Sequence, residues 1–449
     1  MKTAKFGGSS LANATQLKKV AEIIKSDNTR RFVVVSAPGK RYATDQKVTD
    51  LLVELYQKRI NNEATDDLIT KIFARYEEIS REFQIEKSIL TEIYQSLESL
   101  KNLPTADNPH FFDEILSNGE NNNAKLVAGV LQAEGVDARY INPQELGIFV
   151  SDEPLNARIL SKAYPAMKNW RNSSEVLVIP GFFGYTEKGE ICTFSRGGSD
   201  ITGAIVASAM NVDLYENFTD VNGIFAAHPG YIHHPEPIRE ITYREMRELS
   251  YGGFSVFHDE ALMPSYRAKI PVVIKNTNNP AHPGTLVTNE RENKEQPVVG
   301  IASDDGFSMI YLNKYLMNRE VGFTLKVLEI FKEFNLNYEH MPSGIDDISI
   351  ILRANQLTPQ LEEDLLRKIA YVIDPDELRV IHDLSMVMIV GEGMKQRIGS
   401  MAESTAALAR KKINIEMISQ GASEVSIIFG IHKEREQDAI RTLYYTFFE

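Results

Sequence analysis

TAKFGGSS, residues 3–10, places a short β-rich run directly before two glycines and two serines. A helical pattern follows at residues 14–25. Backbone amides at such a glycine turn can approach a phosphate closely, and the N-terminus of the following helix favours negative charge. A lone Gly-Gly pair is more often only a turn. The stretch therefore predicts a strand–turn–helix unit and a candidate anion cradle.

Apolar runs without polar interruption indicate further strands that are buried on both faces. They alternate with amphipathic helical stretches over roughly the first 290 residues, which predicts an α/β domain with a largely parallel sheet covered on both faces. Ligands bind such sheets at the carboxyl ends of strands. Residues 60–103 have a charged helical pattern, and we expect a helical excursion on the surface. The predicted strands are residues 3–6, 32–36, 176–180, 213–217 and 272–275, and the predicted helices include 14–25, 123–134 and 201–210.

Composition narrows the function classes. The 449 residues carry a net charge of −13, which disfavours a nucleic-acid partner because phosphate backbones require basic surface. No apolar run approaches membrane-spanning length, and the N-terminus lacks the apolar region of a signal peptide. Cys192 is the single cysteine, so no intrachain disulfide is possible and a cytoplasmic protein is expected. We interpret Cys192 as a small buried apolar residue.

A second glycine pair occurs in FSRGGSD, residues 194–200, which opens the helical pattern at 201–210. Arg196 suits bidentate binding of a carboxylate or phosphate, and Asp200 suits the first turn of a helix. Lys5, beside the first pair, would add a cation for transferring phosphoryl oxygens. Two such loops in one α/β domain indicate a pair of facing anion cradles. The sequence contains neither the GxxxxGK[ST] nor the strand-linked GxGxxG pattern, which excludes P-loop and Rossmann interpretations.

A third motif, NFTDVNGIF at residues 217–225, follows a predicted strand. Its polar side chains and glycine turn could hold a nucleotide base and ribose.

The C-terminal third repeats itself. A polar segment, NERENKEQ at residues 289–296, is a plausible linker. Beyond it, SMIY at 308–311 corresponds to SMVM at 385–388, Gly322 to Gly399 and Glu339 to Glu416, always 77 residues apart (416 against 339). Each repeat has the ferredoxin-like βαββαβ pattern, which indicates a domain duplication and not a solenoid.

Together, KFGGSS, SRGGSD and TDVNGIF resemble the aspartokinase branch of the amino acid kinase family, and the repeats resemble its paired ACT domains. The resemblance implies an αβα-sandwich catalytic domain at 1–290, a first ACT domain at 298–380 and a second at 381–449, with strands that could be exchanged between the two. It implies phosphorylation of L-aspartate to 4-phospho-L-aspartate with ATP and Mg²⁺, the first step of lysine, threonine and methionine biosynthesis.

The resemblance also implies roles for individual residues. The catalytic residues are Lys5 and Asp200. The substrate-binding residues are Thr49, Glu120, Arg196 and Ser199. The ATP-binding residues are Lys5, Gly7, Gly8, Ser9, Thr219, Asp220, Phe225, Lys275 and Asn276. No metal ligand is predicted from the protein itself.

In the repeats the resemblance implies feedback inhibition by an end-product amino acid, with L-lysine as the suggested effector and threonine or a combination left open. Amides around Gly322 would hold its carboxylate, and Glu339 its ammonium groups. ACT pairing implies a homodimer or a dimer of dimers. The effector-binding residues are Met317, Gly322, Phe323, Thr324, Glu339, Ser343, Gly344 and Asp346.

The sequence departs from the family pattern in two places, and two alternative functions stay open. The family commonly has Asp-Pro-Arg where this chain has His228-Pro229-Gly230, so one phosphate contact is missing, and the stretch after Ser36 is longer than in many members, which affects Thr49. One alternative is a kinase for another acidic amino acid, such as glutamate or acetylglutamate. The other is a non-catalytic amino-acid sensor, which would not need the set of Lys5, Glu120, Arg196 and Asp200. The chain stops after the second repeat, so a fused homoserine dehydrogenase is not expected.

Overall fold

The structure, a computed structural model, describes residues 1–105, 107–195, 197–254, 259–291 and 296–449. They divide into two compact units. The first contains the described residues of 1–224, 239–243 and 256–291. The second contains those of 225–238, 244–255 and 292–449.

An eight-stranded sheet forms the centre of the first unit, in the order β3-β4-β2-β1-β7-β9-β10-β8. Neighbours from β3 to β9 pair in parallel, and β10 is antiparallel to β9. A separate hairpin pairs β5 with β6. The strands are β1 (Lys2–Phe6), β2 (Arg30–Val35), β3 (Ala138–Tyr140), β4 (Val176–Pro180), β5 (Phe183–Tyr185), β6 (Ile191–Thr193), β7 (Leu214–Thr219), β8 (Glu240–Thr242), β9 (Val272–Asn276) and β10 (Thr285–Thr288).

The helices agree with the predicted α/β order. Asn13 caps the first helix, because its side chain accepts a hydrogen bond from the Gln16 N–H at 3.0 Å. The helix predicted at 123–134 is the second half of a longer one that begins at Phe111. The helices are α1 (Ala14–Lys25), α2 (Val48–Ile60), α3 (Asp66–Phe83), α4 (Lys87–Ser99), α5 (Phe111–Ala133), α6 (Pro143–Leu146), α7 (Ala163–Lys168), α8 (Gly198–Met210), α9 (Tyr243–Tyr251), which continues into the second unit, and α10 (Met263–Ala268).

Successive side chains of β1 point to opposite faces of the sheet and therefore contact different layers of helices. Ala4 and Phe6 belong to one apolar cluster with residues of α1 to α5. Lys5 lies between them and points to the opposite face of the sheet, because successive strand residues alternate. There it meets Asp200 at the start of α8. The two faces are therefore covered by different helices, as a parallel sheet requires.

The expectation of a surface excursion at residues 60–103 is wrong in one respect. The segment is helical, forming α3 and α4, but Ile72, Tyr76 and Ile79 are buried in the apolar cluster of the sheet. Most of the charged residues of the segment are exposed or half-buried, but Arg75 is buried and donates to Gly39 O at 2.7 Å. The sequence of these helices has apolar residues at helical spacing, which form a stripe along one side. The helices pack onto the domain because burial of that stripe is favourable.

In the second unit, five strands form one antiparallel sheet in the order β12-β11-β13-β15-β14. The long strands β11 and β13 pair along their whole length, from Gly300 against Val390 to Asn313 against Glu377. Strands of both repeats therefore share one sheet. The elements are β11 (Gly300–Asn313), α11 (Phe323–Glu333), β12 (Asp347–Arg353), α12 (Pro359–Ile373), β13 (Glu377–Val390), α13 (Ser400–Arg410), β14 (Met417–Ser419), β15 (Ser426–His432) and α14 (Glu436–Phe448).

The 77-residue repeat is visible in these bounds. β13 begins 77 residues after β11 (377 against 300), α13 after α11 (400 against 323) and α14 after α12 (436 against 359). Gly322 and Gly399 both adopt left-handed backbone, with φ of 78° and 105°, immediately before a helix. The repeats differ where a second strand is expected. β14 forms in the second repeat, whereas in the first the described residues show isolated bridges at His340 and Ser343. The duplication was predicted correctly.

The predicted α/β domain with a largely parallel central sheet is confirmed. The predicted linker at 289–296 falls largely on residues 292–295, which lie outside the described residues. Among the helices that the structure describes, none combines the length and apolar character needed to cross a bilayer.

Candidate active site

A cavity of about 390 Å³ opens at the carboxyl edge of the parallel sheet in the first unit. The loops after β1, β2 and β4 meet there, because parallel strands present their carboxyl ends on one side. Residues of both glycine motifs line it, although the motifs are almost 200 positions apart in sequence. The lining residues are Lys5, Ser36, Glu120, Leu155, Phe182, Thr193, Phe194, Ser195, Gly197, Gly198, Ser199 and Asp200.

Lys5 and Asp200 form an ion pair inside this cavity. Lys5 Nζ lies 2.6 Å from Asp200 Oδ1, and the lysine is only 7 % exposed. Asn217 Nδ2 donates to the same carboxylate oxygen at 2.7 Å. Asn217 therefore holds the carboxylate of Asp200, and this carboxylate in turn holds the ammonium group of Lys5. A cation is thus pre-positioned for negative charge that enters the cavity.

The first glycine turn is packed so closely that side chains are excluded. Gly39 N–H donates to Gly8 O at 2.8 Å, and a Cβ on Gly39 would lie 2.5 Å from the carbonyl carbon of Gly8. A Cβ on Gly8 would lie 2.9 Å from Ala37 O. By contrast, a Cβ on Gly7 would make only ordinary contacts at 3.6 Å. Gly8 and Gly39 bring the loops after β1 and β2 into backbone contact.

Glu120 is a buried acid within α5. Its Oε1 accepts the Ala37 N–H at 3.0 Å, while Oε2 is buried with no hydrogen-bond partner among the described residues. Burial raises the pKa of Glu120 to about 7. Glu120 is not a solvated acid of a first helical turn, because α5 begins at Phe111, nine positions earlier. A cationic group entering the cavity would find an unpaired carboxylate oxygen.

The second glycine loop lies beside the same cavity. Arg196 itself lies outside the described residues, but its neighbours Ser195 and Gly197 both line the cavity. Gly197 adopts left-handed backbone, φ 76°, and precedes α8. Ser199 is buried in the first turn of that helix, so the α8 N-terminus faces the space that Lys5 also faces.

The predicted nucleotide contacts lie at the ends of neighbouring strands. Thr219 and Asn276 are paired in register at the carboxyl ends of β7 and β9. Lys275, one position earlier, pairs with Phe218, and burial lowers the pKa of its ammonium group. Asp220 is exposed directly after β7. This edge continues that of β1, because Gly7 N–H donates to Phe218 O at 3.1 Å.

Two of the predicted contact residues, Thr49 and Phe225, are not among the described residues that line the cavity. Thr49 is half-buried in the first turn of α2. Phe225 belongs to the second unit, where it bridges to Pro237. His228, which replaces the family's aspartate, is exposed and accepts the Gly230 N–H at 3.0 Å through Nδ1. It has the local role of a loop histidine.

The predicted effector residues cluster around the start of α11. Met317 and Phe323 are buried in the core of the first repeat, whereas Gly322 and Thr324 are exposed. Asp346 Oδ1 accepts the Leu316 N–H at 2.9 Å and so holds the loop in place. Ser343 and Gly344 lie exposed in the turn before β12.

Glu339 is already engaged. Its Oε2 accepts the Tyr251 hydroxyl at 2.5 Å, and its Oε1 lies 3.5 Å from Arg353 Nε. Arg353 also pairs with Asp304 at 2.6 Å. An ammonium group that binds Glu339 would therefore compete with a hydroxyl and a guanidinium group.

Sequence reasoning missed Phe182, which lines the cavity, and Gly39 and Asn123, which support its walls. Gly39 stands in a Pro-Gly turn after β2, the same strand–glycine pattern that identified Gly8. Phe182 follows Gly181 after β4 and has a φ of 79°, rare for a side chain of that size. Asn123 donates from Nδ2 to Ser36 O at 2.6 Å, which ties α5 to the cavity wall. Strand-end glycines could have indicated the first two, but only tertiary contact reveals Asn123.

Comparison with known proteins decides the family. The profile of the amino acid kinase family matches residues 3–276, and that of the ACT domain matches residues 387–447. Aspartokinase 3 of Bacillus subtilis is 48% identical over 448 residues, which cover 100% of this chain and 99% of that protein. The chain belongs to the aspartokinase family. It is thus an aspartate kinase, as the motifs predicted.

Solved aspartokinase structures agree with the fold over the whole chain. The aspartate kinase of Clostridium acetobutylicum is 36% identical and superposes with a TM-score of 0.88 over 99% of both chains. Aspartokinase III of Escherichia coli is 25% identical over 100% of both chains. Its complex with aspartate and ADP gives a TM-score of 0.73, and its complex with lysine and aspartate gives 0.74. Nucleotide use and an amino-acid effector are therefore properties found within this family.

Proposed function

We propose that the chain transfers the γ-phosphoryl group of ATP to the side-chain carboxylate of L-aspartate, the first step of lysine, threonine and methionine biosynthesis. The observation that carries the proposal is the shared cavity in which the Lys5–Asp200 pair faces the unpaired oxygen of Glu120. One side offers a cation to phosphate, and the other offers an anion to an ammonium group. That division suits one nucleotide and one amino acid.

The chemistry requires alignment more than proton transfer. A carboxylate oxygen of aspartate is ionised at pH 7 and attacks the γ-phosphorus directly. The new P–O bond forms as the bond to the β,γ-bridging oxygen breaks, and ADP leaves with that electron pair. No general base is needed. Lys5 and the backbone amides after β1 stabilise charge on the transferring oxygens.

The substrate is held by its two α-substituents. Glu120 binds the α-ammonium group, whose charge replaces the proton that burial favours on this carboxyl. Arg196, which precedes α8 in sequence, binds the α-carboxylate in our assignment, with Ser199 and the α8 N-terminus as further contacts. Thr49 completes the substrate contacts in our assignment.

The nucleotide lies along the ends of β1, β7 and β9. Gly7, Gly8 and Ser9 hold its phosphates, and the base and ribose lie near the strand ends. The close contact of Gly8 with Gly39 supports this, because it leaves backbone and no side chain at the turn. The remaining contacts in the proposal are Thr219, Asp220, Lys275 and Asn276.

Mg²⁺ is expected to enter with the nucleotide. When bound, it neutralises phosphate oxygens and supports their orientation. Among the described residues next to Lys5, Asp200 offers a carboxylate of the hard oxygen type that Mg²⁺ prefers. The donor chemistry fits, and we propose Asp200 as the residue that the ion would face.

In the second unit we propose that L-lysine binds at the start of α11 and inhibits the enzyme. Exposed amides at Gly322 suit its carboxylate, and Glu339 suits its ammonium groups. The remaining contacts are Met317, Phe323, Thr324, Ser343, Gly344 and Asp346. We further propose a cytoplasmic homodimer, or a tetramer built from dimers, that associates through the ACT region.

A hydroxamate assay tests the proposal. Hydroxylamine traps an acyl phosphate as a hydroxamate, so product should form with ATP and aspartate and be much reduced with glutamate. Hydroxamate from glutamate or acetylglutamate at a comparable rate would favour the other kinase reading. No hydroxamate with any acidic amino acid, together with binding of lysine, would favour the sensor. Repeating the assay with lysine, threonine and both identifies the effector.

A further inference from the structure

A second group of reactive side chains lies behind one wall of the active-site cavity. His110 directly precedes α5, Cys192 is the central residue of β6, and Asp152 and Glu190 lie in surface loops. His110 and Cys192 are buried, with 4 % and 0 % exposure, whereas both carboxylates are exposed. None of these residues has a role in the proposed phosphoryl transfer.

Their distances are short. His110 Nδ1 lies 3.3 Å from Cys192 Sγ, and His110 Nε2 lies 3.2 Å from Asp152 Oδ1 and 3.4 Å from Glu190 Oε2. One donor atom from each of His110, Asp152 and Cys192 fits within a span of 4.8 Å. Around a tetrahedral zinc ion with bonds of about 2.0–2.3 Å, donor atoms are roughly 3.3–3.8 Å apart. The short distances involve both ring nitrogens of His110, of which only one can bind the ion. The three donor atoms span up to 4.8 Å, so they must move about 1 Å closer together on binding.

The surroundings are negatively charged. Asp113 Oδ1 accepts the N–H of Thr193, the residue that follows Cys192, at 2.6 Å. Asp113 Oδ2 is fully buried and has no hydrogen-bond partner among the residues that the structure describes. Lys188 contacts the outer oxygen Oδ2 of Asp152 at 3.2 Å, which leaves Oδ1 facing the histidine. A buried carboxylate oxygen of this kind, beside a thiol and an imidazole, favours a bound cation.

We propose that His110, Cys192 and Asp152 bind one Zn²⁺-class ion, with Glu190 as the fourth ligand. The mixed nitrogen, sulfur and oxygen donors suit zinc and its neighbours, and not Mg²⁺ or Ca²⁺. One ring nitrogen binds the ion, so a small rotation of the imidazole toward the thiol accompanies binding. The exposed carboxylates close on the ion from outside. Cys192 binds the ion as a thiolate, and the thiol proton goes to solvent.

An ion bound at this site would stabilise one wall of the active-site cavity. Thr193 follows Cys192 and lines the cavity, and Asp113 Oδ1 accepts both its N–H and its hydroxyl at 2.6 Å. The same oxygen accepts the Leu155 N–H at 3.0 Å, and Leu155 lines the cavity too. The proposed site therefore joins β6, the start of α5 and the 152–155 loop.

Cobalt spectroscopy on the full chain tests the site, because Co²⁺ substitutes for Zn²⁺ and a cobalt–thiolate bond gives a charge-transfer band in the near ultraviolet. Cys192 is the only cysteine, so the band reports on this residue alone. After dialysis against chelator, with Mg²⁺ present, we expect one equivalent of Co²⁺ to produce the band and Zn²⁺ to abolish it. Cys192→Ser should lose the band.

Asp152→Asn is the decisive variant. Asp152 is exposed, so weaker metal binding in this variant would not result from misfolding. The substitution should weaken Co²⁺ binding about tenfold or more, as should His110→Gln. Lys188→Gln should tighten binding, since it releases Asp152. The control is His233→Gln, which removes one of two adjacent exposed histidines and should leave the band unchanged.

Zinc should also raise the melting temperature of the wild-type chain and not that of Asp152→Asn. Absence of the band at one equivalent, or a band of equal affinity in Asp152→Asn and His110→Gln, would overturn the proposed site. Neither result depends on catalysis, so the outcome is separate from that of the kinase assay.

Discussion

Lys5 Nζ lies 2.6 Å from Asp200 Oδ1, which joins the end of the first strand to the first turn of α8 across 195 positions of sequence. The pair unites the two glycine loops in one cavity. Asp200 positions the lysine, and Asn217 holds Asp200, so the cation is fixed before substrate arrives.

Lys5→Ala should lower kcat about a hundredfold or more, because a charge-stabilising donor acts mainly in the transition state. The measurement is steady-state phosphorylation of aspartate. Lys2→Ala is the matched control: Lys2 starts the same strand but pairs with Asp27 at 2.8 Å, and its loss should leave kcat unchanged. An unaltered kcat in Lys5→Ala would remove Lys5 from the mechanism.

Glu120→Gln should raise the KM for aspartate and also stabilise the substrate-free protein at high pH. The folded state raises the pKa of this acid from its ordinary value near 4.5 to about 7, so the folded state holds the proton more tightly than the unfolded state. Stability therefore falls as pH rises through this window. The substitution should add about 1–3 kcal/mol to the unfolding free energy at pH 8 and little at pH 4.5.

Urea unfolding without aspartate at both pH values measures this difference. Glu114→Gln, at a half-buried position of the same helix, is the matched control. Equal effects of Glu120→Gln at pH 4.5 and pH 8 would show that the carboxyl is not desolvated.

Gly39→Ala should destabilise the protein by about 1–3 kcal/mol, because its Cβ would enter the space of Gly8 and overpack a backbone contact. Gly7→Ala, which meets only ordinary contacts, should leave the unfolding free energy nearly unchanged. Denaturant unfolding of both variants compares them directly. Similar stability of the two would show that the loops after β1 and β2 separate readily.

Glu339→Ala should abolish or strongly weaken inhibition by lysine while leaving uninhibited turnover intact. Lysine titration of initial rates is the measurement. Glu416→Ala provides the control from the second repeat, 77 residues later, and should retain inhibition. Tyr251→Phe should strengthen inhibition, because it removes a hydroxyl that competes for Glu339. Undiminished inhibition in Glu339→Ala would exclude this residue from the effector site.

Local sequence patterns predicted much of the fold. The strand at 176–180 and the helix at 14–25 have the predicted bounds, since apolar runs and a 3.6-residue period depend on neighbours along the chain. The duplication was equally visible, because copies keep their spacing. The start of α5 was missed, and with it the burial of Glu120, because the first half of that helix carries few local signals. Arg196 stays a prediction, as do the residue roles.

The sequence by itself determined the order of strands and helices, the repeat of 77 residues and the two glycine loops, because each depends on residues close together in the chain. Only the tertiary structure decided that Lys5 pairs with Asp200, that Gly39 packs on Gly8 and that His110 meets Cys192. These contacts arise from parallel strand pairing and helix packing across many tens of residues, and no local pattern encodes such distances.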